Sequence, residues 1–260
     1  MTLDKSTTFG IMIGLLGIGL GATLEGGTPS QIFQPAAALI VLGGTLGAVM
    51  VQFPVRVLSQ ALIRLKDLFL QRHPMPDSLV QHLLRYAYKA RKEGLLSLDN
   101  ELVKIQDPFL RESLMLAIDG VKPADLRKMM ELQLEYEGEK DERIPKVFDA
   151  AGGFAPTFGI LGAVLGLIQV MQRLQNMDAV GKGIAVAFVA TIYGVGAANL
   201  LFLPMAGKLR IVVRQKQVLR EMTLEAVLAI VEGVHPRALE QRLNSFGTEP
   251  PRSYLKVIGQ

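Results

Sequence analysis

The sequence predicts an all-α membrane protein. It has four transmembrane helices in two hairpins, a helical cytoplasmic domain between the hairpins, and a C-terminal cytoplasmic helix. Three observations carry this. Residues 8–24, 35–53, 150–172 and 183–204 contain no Asp, Glu, Lys or Arg, and each is near the ~20 apolar residues needed to cross a ~30 Å hydrocarbon core. Mean hydropathy is +0.31 although 20% of residues are charged, which requires the charges to be segregated. The basic residues are also placed unevenly. Segment 54–149 holds 16 Lys/Arg, segment 205–260 holds 9, loop 173–182 holds two, and loop 25–34 holds none.

The positive-inside rule then puts both large charged segments and both termini in the cytoplasm, with the two short loops outside. The division expected along the chain is a hairpin over 1–53, a cytoplasmic domain over 54–149, a second hairpin over 150–204 and a cytoplasmic tail over 205–260. Lys5, an apolar run and "GLGATL" resemble a signal peptide. The poor cleavage pattern and the second span close behind favour an uncleaved first span.

Within the cytoplasmic segment, Asp77–Gly94 reads as a helix that follows Pro74 and Pro76, opens on an Asp-type N-cap and ends at glycine. Leu79, Leu83, Tyr86 and Ala90 keep helical spacing. "SLDNELVKIQ" and "PFLRESLMLAIDG" read as shorter helices, the latter ending at Gly120. Pro123–Gly153 reads as one long helix running into the third span. Helical periodicity resumes from Leu209 to Val234. No strand signal and no tandem repeat is apparent.

Composition narrows the function. The absence of Cys excludes disulfides and thiolate metal sites. His73, His82 and His235 are too scattered for metal-ligand spacing, and no catalytic triad order or phosphate loop is present, so no enzyme activity and no cofactor is expected. A pI near 9.3 is explained by anionic lipid and topology. No basic run is interleaved with aromatics as nucleic-acid binding would prefer.

Small residues recur four apart at Gly10/Gly14, Gly17/Gly21, Gly43/Gly47, Gly162/Gly166 and Gly194/Ala198, the spacing that lets helices approach closely in lipid. Pro156 is read either as a helix break where the long helix enters the membrane or as a hinge, and Pro204 is open in the same way. Thr191 either bonds back to the carbonyl four residues earlier or lines a polar path. "ARKEGLLSLDNE" (Ala90–Glu101) is either a solvated surface or an electrostatic docking face. Most informative is the lack of any acid in the spans. Intramembrane ionisable groups usually mark transport paths, so a proton-conducting function would need a carboxylate from a second protein.

Four motifs carry a resemblance: "LIVLGGT" (Leu39–Thr45), "ARKEGLLSLD" (Ala90–Asp99), "FAPTFGILGAVLGLI" (Phe154–Ile168) and "ATIYGVGAANLLFLPMAGKL" (Ala190–Leu209). With the two-plus-two layout, they make the chain similar to the MotA/PomA family of flagellar stator subunits over nearly its whole length. The resemblance implies a multi-pass protein of the bacterial inner membrane. Five A subunits would ring two MotB/PomB-type single-span subunits, each bringing a membrane aspartate, and ion flow would become torque on the rotor protein FliG. It assigns ion coupling to Pro156 and Pro204 and a pore-facing role to Thr191. It assigns rotor contact to Arg91 and to Asp99, which stands where many members have glutamate. Many members also have an acid where this chain has Gly153. Sodium-driven members tend to carry threonine where this chain has Ala163. Ala163 offers no oxygen ligand, so the transported ion is expected to be H+ rather than Na+. An ExbB/TolQ-like subunit is the alternative, opposed by its usual three spans. A self-contained channel would need a polar path, and a passive scaffold would not need the cytoplasmic charge pattern.

Overall fold

The computed structural model describes residues 2–3, 5–27, 29–71 and 76–246. His73, Pro74 and the tail 247–260 lie outside them, and the side chain of Asp77 is likewise not described. In chain order the elements are β1 (Thr2–Leu3), α1 (Lys5–Leu24), α2 (Pro29–Ile32), α3 (Pro35–Ala38), a π-helical segment (Leu39–Gly43), α4 (Gly44–Gln52), α5 (Val55–Phe69), β2 (Leu70–Gln71) and α6 (Pro76–Glu93). A 3₁₀ turn (Leu95–Leu98), α7 (Asp99–Leu102), α8 (Pro108–Ile118), α9 (Pro123–Gln172) and α10 (Met177–Gly196) follow. The series closes with a second π-helical segment (Ala197–Phe202), α11 (Leu203–Val231) and α12 (Pro236–Asn244). Among the described residues the regular elements are all helical apart from one departure from the sequence reading, a two-residue antiparallel pair between β1 and β2.

Among the described residues, four helices are long and apolar enough to cross a membrane: Ser6–Leu24, Pro35–Gln52, Pro123–Gln172 and Met177–Val231. Each of the four expected spans falls within or against one of them. Three features of these helices have local causes. The helix that holds the fourth span begins at Met177, ahead of the charge-free stretch, because Asn176 caps it by accepting from Ala179 N at 3.1 Å. Asp178 and Lys182 end an apolar window but do not end a helix. Pro156 does not break the third span, since α9 runs unbroken through both Pro145 and Pro156. The carbonyl freed by Pro156 is that of Gly152, and the bare Gly152–Gly153 turn gives the pyrrolidine ring room. "SLDNELVKIQ" is helical only from Asp99 to Leu102, after the 3₁₀ turn.

Pro204 sits in the first turn of α11, directly after the π-helical segment Ala197–Phe202. Widening to i→i+5 bonding moves the preceding carbonyls off the ring, so the helix passes the proline without stopping. Phe53 is extended (φ −121°, ψ 139°) and ends α4, as expected of a residue before proline. Asp107, also before a proline, accepts from Phe109 N at 3.0 Å and starts α8. Gly94 and Gly120, which close α6 and α8, have φ of 83° and 81°, conformations that a side chain would strain.

The chain divides into two compact units: 1–72 with 141–211, and 73–140 with 212–260. The first holds all four spans together with α5, which the sequence reading did not single out. Ala61 and Leu68 of α5 are buried with Val49, Ile144, Val147, Phe148, Ala151, Ala206 and Leu209. In the second unit, Leu83, Phe109, Leu114, Leu126, Met130, Val227, Leu228, Leu239 and Leu243 form the core, contributed by α6, α8, α9, α11 and α12. Leu83 and Tyr86 are buried as their spacing predicts, with Leu79 and Ala90 packed beside them. Arg220 pairs with Glu137 and lies over the Phe109 ring at 5.9 Å, a cation held at the rim of that core.

Candidate functional site

The second hairpin is closed by a glycine seam. A Cβ on Gly159 would lie 3.0 Å from Ala190 O and 3.4 Å from Thr191 Cα, one on Gly166 2.9 Å from Ala187 N, and one on Gly194 2.5 Å from Ala155 O. Only hydrogen at these positions allows the backbones of α9 and α10 to meet. The sequence pairs Gly162/Gly166 and Gly194/Ala198 lie in this seam. Gly10, Gly17, Gly21 and Gly47 instead meet nothing within 4 Å, so Gly17/Gly21 does not pack within the chain, whereas a Cβ on Gly14 would lie 2.8 Å from Leu200 Cδ2.

The span Pro35–Gln52 covers one side of the hairpin. Ala37 and Val41 are buried with Val189 and Ala190, with Val186 and Tyr193 alongside, and the Phe158 ring lies over Gly44. Tyr193 Oη donates to Ile32 O at 2.6 Å and accepts from Gln34 N at 3.3 Å, which pins the start of this span to α10. Thr45, 1% exposed, donates to Val41 O at 2.6 Å at the end of the first π-helical segment.

The opposite side carries the residues singled out in the sequence. At about 100° per residue, Pro156, Ile160 and Ala163 lie across the seam from Phe158. Pro156 and Ala163 are half-buried and Ile160 is exposed. Thr191 lies beside Gly159, between them along α9. It is half-buried and donates to Ala187 O at a long 3.3 Å, so its oxygen can still accept. The structure therefore brings Pro156, Ala163 and Thr191 to one open, acid-free face of the hairpin. Pro204 is exposed and separate from this cluster. Gly153, where a carboxylate was noted as common, is exposed on the same flank of α9.

A charged corner lies in the other unit. Arg91 and Asp99 are exposed at the end of α6 and the start of α7, joined by the Gly94 turn. Arg91 also donates from Nη1 to Gly233 O at 3.2 Å. Glu101 is drawn inward by Lys89 at 2.7 Å and Lys104 at 3.4 Å, and the hydrogen bond from Lys89, then that from Lys104, holds its carboxyl below the ordinary value. Part of the charge run thus serves the fold, and Arg91, Lys92, Glu93 and Asp99 make up its exposed part. Sequence reasoning missed Asn176, Thr45 and the inward turn of Glu101. Of these only Asn176 left a readable signal, an Asn cap followed by Asp178 in the first turn.

The model of the MotA/TolQ/ExbB proton channel family matches residues 101–222. The chain is 34% identical over 259 residues to Motility protein A of Bacillus subtilis, covering 99% of this chain and 95% of that protein. The chain belongs to the MotA family. Motility protein A of Helicobacter pylori is 32% identical over 258 residues, covering 98% and 100% of the two chains. The solved C. jejuni MotAB structure superposes with a TM-score of 0.90 at 31% identity, covering 96% of this chain and 98% of that one. The flagellar MotAB stator complex of Bacillus subtilis gives 0.87 at 33%, covering 97% and 99%. The open face of the second hairpin is thus a feature of a multi-pass MotA-family protein.

Proposed function

We propose that this MotA-family chain is the A subunit of a flagellar stator, in which ion flow past the second hairpin is converted into torque on the rotor. The observation that carries the reading is the acid-free face holding Pro156, Ala163 and Thr191. A single-span MotB-type helix lies along it in this reading and brings the aspartate that the chain lacks. Small side chains and a backbone seam leave few obstacles to sliding, which suits several A subunits stepping around a central pair, five around two by family resemblance.

Protons are the favoured ion. Bare sodium needs several oxygen ligands, and Ala163 offers none beside Thr191. Each charge crossing 100 mV yields ~2.3 kcal/mol, so torque accumulates over many small steps. The large basic segments and both termini face the cytoplasm, where Arg91 and Asp99 meet charged groups of FliG.

The deciding experiment is mass determination of the detergent-purified chain co-expressed with single-span candidates that carry a membrane aspartate. A ring holding two copies of such a partner is the expected result. A stable assembly without a partner that conducts ions by itself overturns the reading.

A further inference from the structure

Residues 183–204 contain three side chains with polar groups: Thr191, Tyr193 and Asn199. Tyr193 is committed to the neighbouring span and Thr191 bonds back to its own helix. Asn199 differs from both in being exposed. Its Nδ2 donates to Val195 O at 3.0 Å, leaving Oδ1 as an acceptor. An exposed carboxamide on a span has an energetic cost that a leucine would not have.

Its position gives that cost a purpose. Thr191, Val195 and Asn199 are spaced four apart, on the flank of α10 turned away from the covering span. In regular α-helix Asn199 would drift from the line through Thr191. The π-helical segment Ala197–Phe202 advances less per residue and brings Asn199 back toward it. The seam fixes its level, because Gly159 meets Thr191 while a side chain at Gly152 would meet Leu203. Asn199 therefore stands beyond Thr191 on the side of Pro204.

We propose that Asn199 holds the water that receives the proton at the Pro204 end of the path. Its Oδ1 accepts from that water, which takes the proton from the partner's protonated carboxylic acid, leaving a carboxylate, and as hydronium passes one on to solution. The carboxamide itself is chemically unchanged. This rests on the stator reading, and Asn199 acts as a positioning residue for the water.

The test uses a motile strain whose own copy of this gene is deleted and replaced with wild type, Asn199→Leu, Asn199→Ala, Asn199→Ser or Asn199→Thr. Low-load rotation speed is measured in H2O and D2O, and the ring is quantified by mass. Losing one acceptor should slow N199L and N199A about two- to tenfold and enlarge their D2O slowing, with the ring intact. N199S and N199T should recover speed and isotope effect together. Wild-type speed in N199L and N199A overturns the proposal. So does slow rotation that neither hydroxyl variant recovers, or loss of the ring in N199L and N199A, either of which assigns Asn199 to packing. If wild type fails to restore rotation at all, the stator reading itself falls.

Discussion

Arg91 illustrates why one residue can carry two kinds of effect. Its exposed guanidinium fits a docking role, yet it also donates to Gly233 O, a main-chain contact between the ends of α6 and α11. Arg91→Gln keeps a donor for that carbonyl and removes the charge, while Arg91→Glu removes both. Electrostatic docking predicts that both variants lower torque, with normal assembly, and that high ionic strength weakens the wild type in the same direction. Normal torque in R91Q would remove the positive charge of Arg91 from the docking role. Glu101 offers a cleaner readout. Its folded carboxyl is held below its ordinary value of 4.5 by Lys89 and Lys104, so its stabilising contribution is present above that value and fades as pH falls through the depressed one. Glu101→Gln should therefore lower the melting temperature of the purified protein at neutral pH, and the gap to wild type should close below 4.5. A gap unchanged across that range would mean the ion pair contributes nothing measurable.

Among elements, the second hairpin is the most constrained. Gly194→Ala puts a methyl 2.5 Å from Ala155 O, against backbone that cannot rotate away, and overpacking of this kind costs about 1–3 kcal/mol. Gly17→Ala meets nothing within 4 Å and should leave the stability of the chain itself unchanged. Thermal melts of the two variants in detergent separate these outcomes. Tyr193→Phe loses the hydrogen bond to Ile32 O and should cost about 0.5–1.5 kcal/mol. The seam was only half legible in the sequence. The i, i+4 small pairs pointed to the seam at Gly162/Gly166 and Gly194/Ala198 but passed over Gly159 and Gly44, and the pattern for a packed pair and an open one is the same, so only the fold distinguishes Gly166 from Gly17. The four spans were legible because charge exclusion is imposed by lipid on any sequence. The start of α10 and the passage of α9 through Pro156 were not, because helix length depends on capping and on local room for a proline ring, which a hydropathy window does not register. The two π-helical segments left no compositional trace.

For the whole molecule, the candidate site is a face without chemistry of its own, and this explains how far the sequence could go. The missing acid was readable, and it implied a partner. That Pro156, Ala163 and Thr191 share one open side became visible only once the covering span was placed on the other. The proton assignment predicts that motility responds to pH and membrane voltage and is unaffected when external sodium is replaced by potassium. Arrest on sodium removal would reverse the assignment of Ala163. The backbone-to-backbone seam also has a mechanical meaning. Side-chain interfaces yield because rotamers can shift, whereas two main chains in van der Waals contact have almost no give. The hairpin is then a stiff blade along the seam, and in the proposed stator the compliance of a working stroke falls outside it, in the π-helical turn before Pro204. In a drive train the elastic element sets how smoothly load is taken up. Stiffening that turn should change the smoothness of rotation before it changes the force delivered at stall.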